Sequence, residues 1–273
     1  MNVRILSLIL LLGLAGCSTW FPDEEDLTRG WSAQKLYNEA SAELHDGNYD
    51  DAIKYYEILQ ARYPFGRYAK QAQIDLTYAY YKSGEPEAAL AAADRFIKLY
   101  PRNPHVDYAY YLKGLVNFNK GITFMNRFIP TDASQRDPGA ALDSFKDFGE
   151  LIRRFPKSRY AEDARLRMLY LRNNLAKHEA GVADYYYRRG AYVAAAQRAG
   201  FVIENYPRST AVRSALEIMI RAYQQLDEPD LARDASRVLA LNRNLGTLVT
   251  DRPDADQITW GRRIWNFLEL DKN

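Results

Sequence analysis

The chain has 273 residues, 37 Lys+Arg against 35 Asp+Glu, a net charge of +2 at pH 7 and 47% apolar residues. That length suits one large domain or a repeat array, and the near-neutral charge excludes the strong basic excess of a dedicated nucleic-acid binder. A single cysteine, Cys17, excludes an internal disulfide and a cysteine-built zinc site.

Arg4 gives the N-terminus a positive start, and residues 5–14 form an apolar run broken only by Ser7 and Gly13. Ten such residues are about half of the ~20 that a spanning helix needs, so the run reads as the core of a secretory signal peptide. Small Ala15 and Gly16 follow, and then Cys17. The phrase Leu14-Ala15-Gly16-Cys17 resembles the lipobox of bacterial lipoproteins. That resemblance implies cleavage between Gly16 and Cys17 and acylation of the cysteine, leaving residues 1–16 as a removed signal. Several acyl chains bury many methylenes at ~0.8 kcal/mol each, which anchors a protein firmly. Ser18 stands where lipoproteins kept at the inner membrane usually carry Asp, pointing to the outer membrane and its periplasmic face. Residues 17–30 include Pro22 and four consecutive acids, Asp23 to Asp26, and read as a lipidated cysteine on a flexible tether.

From residue 31 onward one phrase recurs: an apolar helix end, an aromatic-proline pair, a short turn and a new helix start. Its prolines are Pro64, Pro101, Pro156 and Pro207, spaced by 37, 55 and 51 residues. Proline lacks the N–H that a continuing helix needs and clashes with the preceding turn, so each marks a stop. Within the units, Gly47, Gly84 and Gly190 fall in turns between paired helices. Ala52, Ala89 and Ala195 fall where the two helices cross, and a fifth unit keeps Tyr223, Ala232 and Leu239. The expected fold is all-α, a tetratricopeptide-repeat superhelical solenoid of about five helical hairpins. Residues 159–189 contain no proline and only Gly181, which predicts one long helix. Between Gly114 and Ala140, Pro130 and Pro138 predict a longer excursion inside the third repeat.

Catalytic signatures are absent from the sequence. His45, His105 and His178 have no partner at metal-ligand spacing, and no Walker, nucleophile-elbow or zinc-protease motif occurs. Ser32-Ala33-Gln34-Lys35 and Lys82-Ser83-Gly84 match fragments of penicillin-recognising enzymes, but nothing resembling S-D-N separates them. The chain is read as no enzyme, with no cofactor and no metal.

Two patterns point to binding. Of 21 tyrosines, eleven fall within residues 55–111. Adjacent pairs such as Tyr80-Tyr81 and Tyr110-Tyr111 cannot share one helix face, so some are expected at a surface rather than in repeat packing. Charge is uneven as well: residues 23–100 carry a net −5 and residues 151–225 a net +8. The arginines of the later stretch either cover a solvated face or meet carboxylates. Residues 244–273, with Ile258, Trp265, Leu268 and Arg262-Arg263, suggest a short amphipathic helix that caps the last repeat or docks on a partner.

Beyond the generic repeat, the stretches 62–85, 94–115, 136–148 and 185–198 make the mature chain resemble the BamD (ComL/YfiO) family, outer-membrane lipoproteins of the β-barrel assembly machinery. The resemblance extends to about residue 243. It implies a periplasm-facing, lipid-anchored scaffold that helps recognise, fold and insert outer-membrane β-barrel proteins by protein–protein binding. N-terminal repeats 1–3, residues 31–156, would offer the groove for an unfolded barrel's C-terminal strand, with Tyr37, Tyr63, Arg67, Tyr68, Tyr78 and Tyr81 as candidates. C-terminal repeats 4–5, residues 157–243, would hold the last periplasmic domain of the barrel-forming subunit, with Arg188, Arg189 and above all Arg198 as candidate contacts. Accessory lipoproteins would be further partners, and nucleic acid would not. The competing reading is another repeat lipoprotein of the envelope, an adaptor for peptidoglycan or cell-division enzymes.

Overall fold

A computed structural model describes residues 27–120 and 138–244. Cys17, the excursion at 121–137 and the extension at 245–273 lie outside the described residues. Within them are ten α-helices and no strand: α1 (Ala33–Asp46), α2 (Tyr49–Arg62), α3 (Arg67–Ser83), α4 (Pro86–Leu99), α5 (Val106–Lys120), α6 (Pro138–Arg154), α7 (Ala161–Arg188), α8 (Tyr192–Asn205), α9 (Val212–Gln225) and α10 (Pro229–Asn244). They pair in sequence as five hairpins, the all-α, tetratricopeptide-like class expected. The long helix expected over 159–189 is α7, 28 residues.

Four hairpin turns are built alike. The first helix ends in a residue with left-handed backbone: Gly47 (φ 85°), Gly84 (86°), Gly190 (76°) and Asp227 (57°). The N–H one residue later reaches back to a carbonyl of the last helical turn: Asn48 to Glu43, Glu85 to Tyr80, Ala191 to Tyr186 and Glu228 to Tyr223, at 2.9–3.0 Å. This closes the helix end and satisfies a carbonyl that the helix itself leaves open. Five residues after each left-handed position comes a buried alanine, Ala52, Ala89, Ala195 or Ala232, where a larger side chain would hold the paired helices apart.

The second helix of each of the first four hairpins stops by a different device. The aromatic before each proline donates its N–H to the carbonyl four residues back, Tyr63 to Leu59, Tyr100 to Phe96, Phe155 to Leu151 and Tyr206 to Val202, at 2.7–2.9 Å. Tyr63, Tyr100 and Tyr206 have φ near −130° and ψ of 48–66°. Proline disfavours helical geometry in the residue before it, so the helix ends there.

The described residues divide into two compact units, one ending at residue 72 and the other beginning at residue 73. In the first, Leu36 and Ala40 of α1 meet Ala52, Ile53, Tyr56 and Leu59 of α2, all buried. The second holds two apolar clusters. One joins Phe96, Tyr111, Leu112, Phe148, Leu151 and Leu171; the other is alanine-rich, along α7, α8 and α9.

The third hairpin departs from the alanine rule in an instructive way. Ser144 holds the crossing position, fully buried, and donates its hydroxyl to the Gly114 carbonyl at 2.9 Å. Gly114 faces the Phe148 ring so closely that an added Cβ would lie 2.4 Å from it. One expectation fails here. Tyr110 and Tyr111, adjacent in sequence, are both buried, at 8% and 1% exposure. Burial on α5 runs around the helix, because neighbours cover it on more than one side, so the single-face argument does not hold.

Candidate functional site

In the first unit, aromatics and cations gather around the start of α1 and the end of α2. Trp31 stacks on Tyr55 with centroids 5.9 Å apart, and the Lys35 ammonium sits 4.0 Å from the Trp31 ring centre. Tyr37 contacts both Tyr56 (6.0 Å) and Tyr68 (5.5 Å). Arg67 lies over Tyr68 at 4.6 Å and donates to its hydroxyl at 2.7 Å. Tyr37, Tyr63, Arg67 and Tyr68 therefore all belong to one neighbourhood, with Tyr63 and Arg67 exposed and the other two half-buried. Phe65, between Pro64 and Gly66, is 89% exposed.

The same corner holds a clasp that the sequence did not reveal. Arg62 donates to the Thr28 carbonyl at 2.6 Å, and the Tyr63 hydroxyl donates to the Trp31 carbonyl at 2.8 Å. Thr28 is buried. Residues 27–30, read from the sequence as part of the tether, are a turn fastened to the end of α2. Hydrogen bonds between residues 32–34 apart leave no short-range pattern, so only Trp31, an aromatic at a helix entry, could have hinted at it.

Tyr78 and Tyr81 belong to the second unit. Their centroids are 6.3 Å apart, Lys82 stands 5.9 Å from the Tyr78 ring, and Asn119 donates to the Tyr81 hydroxyl at 2.5 Å. Both are half-buried against the Phe96–Phe148 cluster. Ser32, the first residue of the serine–lysine fragment, is the N-cap of α1, and its hydroxyl accepts from the Lys35 N–H at 3.2 Å. That is a capping role, with no nucleophile chemistry implied.

On the basic side, Arg188 pairs with Asp184 at 3.0 Å, and Arg221 approaches the same carboxylate at 3.9 Å. Arg189 lies over Tyr185 and donates to its hydroxyl. Arg198 on α8 pairs with Glu179 on α7 at 3.0 Å, the arginine half-exposed and the glutamate mostly covered. Burial, helped by the nearby Glu179 carboxylate, pushes the Tyr206 hydroxyl pKa up. The three candidate arginines thus lie near the α7–α8 turn and along α8.

One arginine of the basic stretch 151–225 is not on a solvated face but meets a carboxylate inside the fold. Arg167 is 2% exposed, pairs with Asp163 and lies over the Phe118 ring at 4.9 Å. Asp163 also accepts from the Tyr111 hydroxyl at 2.7 Å. Among the described residues no group of three His, Cys, Asp or Glu could hold a metal ion, and no helix is long and apolar enough to cross a membrane.

Tandem hairpins whose conspicuous surface groups are tyrosines and arginines define a helical-repeat protein of the binding class. A family model described as YfiO, outer membrane lipoprotein, matches residues 30–238, and the chain belongs to that family. Outer membrane protein assembly factor BamD of Neisseria gonorrhoeae is 44% identical over 264 residues, spanning 96% of this chain and 99% of that protein. The protein of that name from Vibrio cholerae is 38% identical over 89% of this chain and 99% of its own length. The Haemophilus influenzae one is 32% identical over 93% and 95%. Among solved structures, a tetratricopeptide repeat protein from Parabacteroides merdae is 15% identical, with 91% of this chain and 88% of that chain covered and a TM-score of 0.39.

Proposed function

We propose that this chain is an outer-membrane protein assembly factor: a lipoprotein anchored through Cys17, facing the periplasm, that works by binding proteins and not by catalysis. The observation that carries the reading is its 44% identity to an assembly factor of that name over nearly the full length of both chains. The cluster of Tyr37, Tyr63, Arg67 and Tyr68 supports a role for the N-terminal repeats in gripping unfolded outer-membrane chains, with Tyr78 and Tyr81 further along α3. Rigid rings lose little entropy on binding, and their hydroxyls reach backbone groups of an extended peptide. Arg188, Arg189 and Arg198 are the proposed contacts for the last periplasmic domain of the barrel-forming subunit, and accessory lipoproteins are further partners.

Arg198 is suited to this because its present partner is on the same chain. An acidic residue of the subunit can share the guanidinium with Glu179, and the half-covered site strengthens the pairing. Capture of the acylated protein in mild detergent should bring down the barrel-forming subunit. Arg198→Ala should weaken that complex by roughly 2 kcal/mol. Affinity unchanged by the substitution removes Arg198 from the interface. Recovery of peptidoglycan hydrolases without a barrel subunit, or normal levels of outer-membrane barrels after depletion of the protein, overturns the reading as a whole.

A further inference from the structure

The bend into α9 collects positive and donor groups, and Arg172, Arg208 and Arg213 make no ion pair among the described residues. Asp184 of α7 approaches Arg221 of α9, an offset of 37 residues. Ala176, Ala180 and Ala183 share a core with Ala211, Ala215, Ile218 and Ala222. The two helices therefore run in parallel register, and the same offset sets Arg172 and Asn173 beside Ser209 and Thr210. Arg172 and Arg208 feel each other's charge, which adds to burial in lowering the Arg172 pKa.

What these residues lack is partners. The Arg172 Nε, the Arg213 Nε and the hydroxyls of Ser209 and Thr210 are buried and make no hydrogen bond among the described residues. Ser209 is 2% exposed and Thr210 9%. Such orphans are uncommon in folded proteins, because a buried donor without a partner pays its full desolvation cost. Helix α9 has no side-chain cap and no acid in its first turn, so its positive end is uncompensated as well. Every other candidate arginine described above has an acid or a ring beside it.

We infer that the corner formed by Arg172, Arg208, Ser209, Thr210 and Arg213 is a binding site for a phosphate group. Three guanidiniums, two hydroxyls and a helix start present more donors than the two oxygens of a carboxylate use, and they suit the larger oxygen set of a phosphate. Arg208 is exposed and forms the entrance; the buried groups form the floor, reached as Arg172 and Arg208 turn onto the ligand. The phosphate can come from a lipid headgroup or from a soluble phosphate compound. This site lies on α7, the turn before α9 and the start of α9, apart from Arg198 and its pair on Glu179, and does not depend on the function proposed above.

Titration of inorganic phosphate with the full chain, followed by phosphorus NMR line broadening at constant ionic strength, tests it. Saturable broadening is expected. Arg208→Gln, a surface change that leaves the fold intact, should weaken it about tenfold or more, the effect of losing one charge-assisted contact. Arg172→Met should do the same with an unchanged circular dichroism spectrum, and Arg237→Gln, elsewhere on the surface, should not. Broadening that never saturates, or that Arg208→Gln leaves intact, overturns the site. Displacement of phosphate by an equal concentration of acetate overturns the ligand class in favour of a carboxylate. Cosedimentation with phosphatidylglycerol vesicles that is lost in Arg208→Gln identifies a lipid headgroup as the source. Phosphate binding without such cosedimentation identifies a soluble compound.

Discussion

Tyr111 shows how one residue can tie stability to pH. Burial, with a smaller contribution from the Asp163 carboxylate, drives its pKa well above the ordinary tyrosine value, although Arg167 pulls the other way. The unfolded chain ionises this hydroxyl near pH 10 and the folded chain does not, so the native state loses stability as pH rises above 10, by up to about 1.4 kcal/mol per pH unit. Tyr111→Phe should flatten that part of the urea-midpoint profile while costing roughly 1–2 kcal/mol at neutral pH, where Asp163 loses a donor. A variant with the wild-type alkaline slope would place the titration elsewhere. Gly114 is the second sensitive point. Its Cβ would collide with the Phe148 ring, so Gly114→Ala should destabilise by about 1–3 kcal/mol, with recovery in the Gly114→Ala, Phe148→Leu double variant. Equal loss in single and double variants would refute the contact. Neither point was legible beforehand. Gly114 has no turn around it to explain a glycine, and Ser144 broke the alanine pattern that located the other crossings.

Turns and helix stops, by contrast, were legible because they are set by residues adjacent in sequence. The aromatic-proline pairs and the glycines at 47, 84 and 190 fix local backbone geometry, and the structure has each in that role. Asp227 makes the same turn without being glycine, at φ 57°. Left-handed geometry costs a side-chain-bearing residue roughly 1–2 kcal/mol, less for Asp, which bonds locally. Asp227→Gly should therefore raise the stability of the last hairpin by about 0.5–1 kcal/mol, read as protection of α10 amides from hydrogen exchange. A loss of protection would mean that the aspartate side chain holds the turn. Elements buried on several sides were the least legible. Helix α5 carries nine buried residues, among them a glycine and an asparagine, and an amphipathic stripe is the wrong template for it.

At the scale of the molecule, the sequence carried the all-α class and the number of helical hairpins. It did not carry which side chains meet across distant segments, because such contacts leave no short-range spacing. The clasp of Arg62 and Tyr63 and the arginine corner before α9 were both invisible for that reason. Anchoring through Cys17 makes a simple prediction: Cys17→Ala should move the protein from the membrane pellet to the soluble periplasmic fraction. Full retention in the membrane would end the lipid-anchor reading.

The clasp also decides where force enters the protein. In the lipid-anchored form proposed above, a pull on the N-terminal segment reaches Leu27, and Thr28 and Trp31 pass it to the last turn of α2 through the Arg62 and Tyr63 hydrogen bonds. The start of α1 is thereby shielded from being unwound like a thread from its end. Nine residues lie between Cys17 and Leu27, so the ten steps from one to the other reach at most about 35 Å at ~3.5 Å each. Breaking the clasp would add slack and shift the load onto a single helical turn capped by one serine.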